Sequence, residues 1–439
     1  MEKLFLFLFI SICFFSCKNA DHLNINLSEY IPSNSSTIIK ISDFELFQND
    51  IEESDFFKLS FKKNSPKYNL DILKDLNISD QTLLCMTQDD DTTHLSIITK
   101  YHDSLVPKKS IDASKFYNRI IDSVYVLSTS EKIINSLKSI PNKNFEDFLK
   151  LTKTSASFSI LKQKKHIVKE TSHENNEQHT SESFVLDVHA NANEVNLNGI
   201  MTSTGDTNHV MDIFSYNTAQ ETTIARITPN NCNGFINFTF GNYEKLKLNI
   251  QNHREFPIDS TSTDFWLNSI NEIGEIYYEN HGVVIAKSID PSITLDGLTD
   301  HQELQSVFRD IQILKFESPK LLSQIFKPLL SSTTLNYYAL IDHYFIFAES
   351  QSNIEAVISN YKNGTTFFND LNFQQSSLNL SNEASLLSVI RGEKLPPKTF
   401  EMPFEYINFD KYEFKALQLV QDEEFMHVNI HVNNFKPVS

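Results

Sequence analysis

Short apolar runs separated by polar turns dominate the chain, and their spacing predicts strands and short helices in a fixed order. Strands are expected over 37–41, 81–87, 94–100, 123–127 and 156–161, and a hairpin over 184–189 and 194–202. Between them, helical periodicity predicts a helix after Ser42, one carrying Ile133, Ile134 and Leu137, and one over 145–151. Two of these starts have the form of a capping box, Ser42 with Glu45 and Ser128 with Glu131, in which the hydroxyl and the carboxylate satisfy each other's backbone N–H. The stretch 162–183 is polar, charged and without period, which predicts a loop or the tip of a long hairpin.

The same order returns downstream. A strand over 235–239 precedes a helix with Tyr243, Leu246 and Ile250; a helix over 265–273 precedes a hairpin over 275–278 and 283–287. Strands over 335–341 and 344–347 lead into a helix over 352–361 with its own Ser352/Glu355 box, then segments at 367–371 and 385–390, then a hairpin over 414–420 and 425–432. Ile31-Pro32 before the first strand has its counterpart in the Pro229-Asn230-Asn231 run, with Pro32 facing Pro229 and Asn34 facing Asn231. The expectation is an α+β fold of two tandem related copies, with mainly antiparallel sheets and short helices. Residues 30–205 form the first copy and 206–439 the second, the matching elements of the latter running from 226 to 434.

Before the first copy the pattern changes. Lys3 is followed by an apolar run from Leu4 to Phe15, too short for a permanent span of about 20 residues. A small residue, Ser16, stands directly before Cys17. Phe14-Phe15-Ser16-Cys17 resembles a bacterial lipobox, with Phe14 in place of the usual leucine, and this implies that the Cys17 thiol is acylated and becomes the mature N-terminus. Residues 1–16 are then a signal peptide and 17–29 a lipidated tether, so the membrane is a partner through the lipid anchor. Lys18 is not the aspartate of the inner-membrane retention signal, and the expected location is the outer membrane, on its periplasmic face or at the cell surface.

Composition narrows the function classes. With 40% hydrophobic residues and 35 Phe the chain can bury a large core, and 439 residues favour more than one domain. A net charge of −18 without basic clusters argues against nucleic acid as a partner. Beyond the lipidation site, Cys85 and Cys232 read either as small buried apolar residues or as one disulfide.

Candidate chemistry is thin. His166, His173 and His179 with Glu174 and Glu177 lie in the polar stretch, but not at the spacing of a zinc helix. Asp89-Asp90-Asp91 lacks the glycine and distal glutamate of a calcium loop and reads as a charged turn. Ser60-Phe61-Lys62-Lys63 fits a Ser-x-x-Lys nucleophile pattern without its companion motifs, and Asp422-Glu423-Glu424 reads as an acidic hairpin tip. No catalytic residue, metal site or cofactor is therefore expected, and only 9 glycines are present to build phosphate or oxyanion cradles. The lipobox, the Ile-Pro start and the two copies together resemble uncharacterised secreted lipoproteins of flavobacterial (Bacteroidota) type, a resemblance that implies no activity. The expected function is a membrane-anchored, non-enzymatic binding or envelope-assembly module with an envelope protein or a glycan as partner. The alternative is a cell-envelope hydrolase with an acidic cleft between the two copies.

Overall fold

The computed structural model describes residues 25–434 except 55–80 (apart from three isolated positions), 90–91, 104, 106–115, 139–142, 169–177, 204–209, 255–261, 279–281, 299–301, 333, 393–411 and 423–424. Cys17, residues 60–63, 90–91, 173–177 and 423–424 therefore lie outside the described residues.

The elements follow in order. After a 3-10 turn at Leu27–Tyr30 come β1 (Ser35–Ile41), α1 (Phe44–Glu53), β2 (Thr82–Asp89), β3 (Thr92–Lys100), β4 (Tyr117–Ile121) and β5 (Val124–Ser128). Then come α2 (Glu131–Ser136), α3 (Lys143–Leu151), β6 (Phe158–Val168), β7 (Gln178–Ala190) and β8 (Glu194–Ser203). The second half holds β9 (Gln220–Glu221), a 3-10 turn at Ile224–Arg226, β10 (Gly234–Thr239), α4 (Tyr243–Arg254), a 3-10 segment at Ser262–Ser269, β11 (Ile270–Tyr277) and β12 (Gly282–Ser288). It continues with α5 (Pro291–Leu298), β13 (Leu304–Phe308), β14 (Ile311–Lys315), α6 (Leu321–Phe326), β15 (Tyr337–Ile341) and β16 (Tyr344–Ala348). The last elements are α7 (Gln351–Asn363), α8 (Leu371–Ser377), β17 (Glu383–Ala384), β18 (Leu386–Arg391), β19 (Phe414–Asp422) and β20 (Phe425–Asn433).

The fold is α+β: one large antiparallel sheet dressed with short helices. Across the first half the strands run β4-β5-β3-β2-β1-β6-β7-β8, and β8 pairs with β20. Beyond β20 they run β19-β18-β10-β11-β12-β16-β15, and then a hairpin of β14 and β13 extends that edge. Read outward from the β8–β20 seam, the two halves have the same strand order, apart from the added hairpin. At the seam Asn198 stands opposite Asn429.

Most strands are buried on both faces, which is why they read as nearly unbroken apolar runs. Alternation divides them between two layers. Ile39, Leu84, Leu186 and Leu197 from the first half join Ile236, Ile273, Phe345 and Ile430 from the second in one inner core, closed by Phe44 and Phe47 of α1 and by Tyr243, Leu246 and Ile250 of α4. On the outer face each half has its own core. Ile38, Leu83, Cys85 and Val126 pack under Ile133 and Ile134 of α2 and Phe145 of α3, and Phe235, Ile276 and Val389 pack under Ile354, Val357 and Ile358 of α7.

Local details depart from the pattern reading in instructive ways. The three helix caps each sit one or two residues from the serine of the expected box. Asp43 caps α1 by accepting from Leu46 N, Ser130 caps α2 from Ile133 N, and Ser350 caps α7 from Asn353 N. Ser128 instead receives a hydrogen bond from Ser96 on the neighbouring strand at 2.9 Å. The segment 265–273 divides: Ser262–Ser269 is 3-10 and the chain is already β11 from Ile270. The polar stretch 162–183 is the long hairpin of β6 and β7, paired out to Val168 and Gln178. With few glycines, two-residue hairpin turns use other residues in the left-handed region: Asp122 and Ser123 between β4 and β5, Arg309 and Asp310 between β13 and β14, Asp342 between β15 and β16. Among the described residues, no helix is long and apolar enough to cross a membrane.

Candidate functional site

A cleft of about 360 Å³ opens on the outer face of the first half. It is lined by Ile25, Asn26, Leu27 and Ser28 at the start of the described chain, by Lys40 of β1 with Gln81 and Leu83 at β2, and by Glu146, Leu149 and Lys150 of α3. Its size falls at the lower end of small-molecule sites, about 300–1,000 Å³.

Lys40 forms the floor. It is only 9% exposed, because its position on β1 shares a face with Ile38, which is core. Its Nζ donates to Thr152 Oγ1 at 2.6 Å and to Leu149 O at 3.4 Å, where the chain leaves α3. Both acceptors are neutral. Burying an ammonium without a carboxylate against it is costly, and burial accordingly lowers the Lys40 pKa from the ordinary lysine value, with the charge of Asp187 opposing. An ammonium has three N–H donors, so one remains after these two bonds. Gln81, one residue before β2, takes part in the fold through its backbone oxygen, which accepts from Thr99 Oγ1 at 3.2 Å. At the rim, Lys150 pairs with Glu146 at 3.4 Å and Asp147 at 3.1 Å, a solvated arrangement worth little in stability.

Lys40 also begins a polar row that crosses the sheet. Opposite it stands Ser159 on β6, then Asp187 on β7, Asn198 on β8 and, over the seam, Asn429 on β20 and Gln418 on β19, followed by Leu387 on β18 and Asn237 on β10. Ser159 Oγ donates to Asp187 Oδ1 at 2.6 Å, and Asn429 Nδ2 to Gln418 Oε1 at 2.9 Å. On each side one residue of the row accepts from a backbone N–H: Asp187 from Lys153, after α3, and Gln418 from Ser381, after α8. The row ends at Asn237, whose Nδ2 donates to Glu272 Oε1 at 3.0 Å.

Glu272 is fully surrounded by donors. Its Oε1 also accepts from Thr223 N at 2.7 Å and Ile224 N at 3.0 Å, and its Oε2 accepts from Thr223 Oγ1 at 2.6 Å. Burial raises its pKa above the ordinary glutamate value, opposed by these hydrogen bonds and by the charge of Lys287. Glu275, also buried, accepts from Ser331 N at 2.7 Å, from Ser331 Oγ at 2.8 Å and from Ser332 Oγ. Both carboxylates are committed to holding loops against the sheet.

Chain order alone does not reveal this site. Lys40 sits in an apolar strand pattern as a single interruption, and that interruption is the one signal that could have marked it. Of the residues singled out from sequence, His166 and His179 lie on the paired strands β6 and β7, Asp89 ends β2, and Asp422 ends β19 with His427 Nε2 3.6 Å from its carboxylate. None of these lines the cleft, and no group of three or more His, Cys, Asp or Glu among the described residues could hold a metal ion. Cys85 and Cys232 are both free and buried, which answers the disulfide alternative. The space between the halves is filled by the shared inner core and closed by the β8–β20 pairing, and the cleft lies on the first half alone. No family model, curated protein or solved structure matches the chain.

Proposed function

We propose that this protein is a lipid-anchored envelope lipoprotein of two tandem copies that acts as a non-enzymatic binding module through the cleft on its first copy. The observation that carries the reading is the Lys40 ammonium, buried on the cleft floor against neutral oxygens alone. Two of its N–H donors fasten the end of α3, and through the third a ligand reaching into the cleft meets a largely desolvated charge.

Duplication is supported by the strand order on either side of the seam, by the 3-10 turn before β1 and before β10, and by the Ile-Asp hairpin turns at Ile121-Asp122 and Ile341-Asp342. In each copy the turn aspartate accepts from a tyrosine hydroxyl, Asp122 from Tyr30 at 3.4 Å and Asp342 from Tyr361 at 2.5 Å. The lipidated tether accounts for the position of the cleft. Seven residues separate Cys17 from Ile25 at the cleft wall, and the eight steps between the two reach at most about 29 Å when fully extended. The site thus faces ligands at or near the membrane surface that carries the anchor.

Two experiments test this. Cys17→Ala should lose lipid label and leave the membrane fraction; a variant that keeps both removes the anchor from the proposal. A photo-crosslinking p-benzoylphenylalanine at Lys150, on the cleft rim, should capture a small ligand in cells. The same residue at Leu304, on the far sheet edge, should not. Equal adducts at both positions would sink the cleft as the binding site.

A further inference from the structure

The two copies treat one place in the sheet in opposite ways. Aligning the pairings puts Asn26-Leu27 with Thr223-Ile224, Lys40 with Asn237, Gln81 with Glu272 and Leu83 with Gly274. Asn26 and Thr223 are both N-caps of the 3-10 turns that follow them. The first member of each of these pairs lines the cleft. The second members surround or abut the Glu272 carboxylate, which Thr223, Ile224 and Asn237 bind.

Sterics explain why one place is open and the other filled. A Cβ on Gly274 would lie 2.0 Å from Ile224 Cδ1, so glycine there lets the 3-10 turn settle onto the sheet. The first copy has Leu83, whose side chain takes that space and packs in one core with Leu27 of the turn, and the cleft lies beside them. Chemistry explains what is missing. In the second copy β11 supplies a carboxylate to the donors of the turn. In the first, Gln81 supplies none, a cation replaces Asn237, and among the described residues the N–H groups of Asn26 and Leu27 have no acceptor.

From this arrangement we infer that the cleft takes a small organic carboxylate, its oxygens standing between Lys40 and the Gln81 amide that holds the place of the Glu272 carboxylate. This rests on the cleft being the binding site proposed above. Lys40 Nζ and the Gln81 amide contact the carboxylate, and the tail lies against the partly exposed Ile25 and Leu149. A charge-assisted bond to a desolvated ammonium gives selectivity for the acid over its amide.

Hexanoate and hexanamide are the probes, titrated into the full-length chain in detergent at fixed ionic strength and followed by calorimetry. Hexanoate is expected to bind at least about tenfold more tightly than hexanamide, given the stronger hydrogen bonds of a charged pair. Lys40→Met should abolish hexanoate binding, and Lys362→Met, on the exposed last turn of α7 and outside the cleft, should leave it intact. Gln81→Glu is the decisive variant: it supplies the carboxylate from within, so it should raise the unfolding temperature and eliminate hexanoate binding together. Equal affinity for acid and amide, or undiminished hexanoate binding by Gln81→Glu, would overturn the inference. Absence of hexanoate binding while the crosslinked adduct at position 150 persists overturns the carboxylate alone; absence of both overturns the site as well.

Discussion

Asn237 Nδ2 lies 3.0 Å from Glu272 Oε1, and with two backbone N–H groups and the Thr223 hydroxyl it completes a buried shell of donors around one carboxylate. Glu272→Ala strands those donors, and each buried unsatisfied group costs about 1–3 kcal/mol, so a loss of at least about 3 kcal/mol is expected in denaturant unfolding. Glu272→Gln keeps an acceptor for the N–H groups and a donor for Thr223 Oγ1, and should cost under about 1 kcal/mol. The folded pKa of Glu272 is raised, so its contribution is full below the unfolded glutamate pKa and declines as pH rises through the folded value. Glu272→Gln should flatten that decline; an unchanged pH slope would show that the group does not titrate with folding.

Helix capping gives a second test. Ser350→Ala should destabilise by about 1 kcal/mol, because it leaves Asn353 N without its acceptor, and Ser130→Ala should do the same through Ile133 N. Ser352→Ala should cost less than Ser350→Ala in paired chemical denaturation curves, since Ser352 does not hold the cap.

The hairpin turns depend on aspartate tolerating the left-handed region, with φ of 48° at Asp122 and 51° at Asp342. Asp342→Gly should keep the turn geometry but lose the Tyr361 hydrogen bond. Asp342→Val should cost about 1–2 kcal/mol more than Asp342→Gly, because a β-branched residue is strained there. Thermal unfolding of the pair, alongside Tyr361→Phe, separates backbone strain from the lost bond.

Thiol accessibility provides a third kind of measurement. Burial pushes the Cys232 thiol up to about 12 and moves Cys85 in the same direction. Neither should react with iodoacetamide in the native chain, and both should react once it is unfolded. Rapid labelling of either in native buffer would contradict the packing of the outer cores.

Much of the architecture was legible because alternation and apolar runs mark strands that are buried on both faces, as in β1, β5 and β16. The hairpin β13–β14 was not, because its exposed residues Leu304 and Val307 break the alternation that marks a strand. The helix caps were displaced because any of several adjacent serines or aspartates can supply the oxygen, and packing of Ile133 or Ile354 decides which turn comes first. Lys40 is the single charged residue within the apolar strand expected over 37–41. Its meaning depends on Thr152, which is 112 residues away in sequence, and on Gln81, which only sheet pairing brings near.

The seam between β8 and β20 also dictates the order in which the molecule can be completed. Asn429 meets Asn198 only after 230 intervening residues have been delivered, since 429 − 198 − 1 = 230. Until β20 arrives, a folded first half holds the β8 edge open, its N–H and C=O groups unpaired. β20, the last strand among the described residues, is the one that covers it. Truncation before Phe425 would therefore remove more than a terminal strand: it would leave an adhesive flank open to the same flank of another truncated molecule.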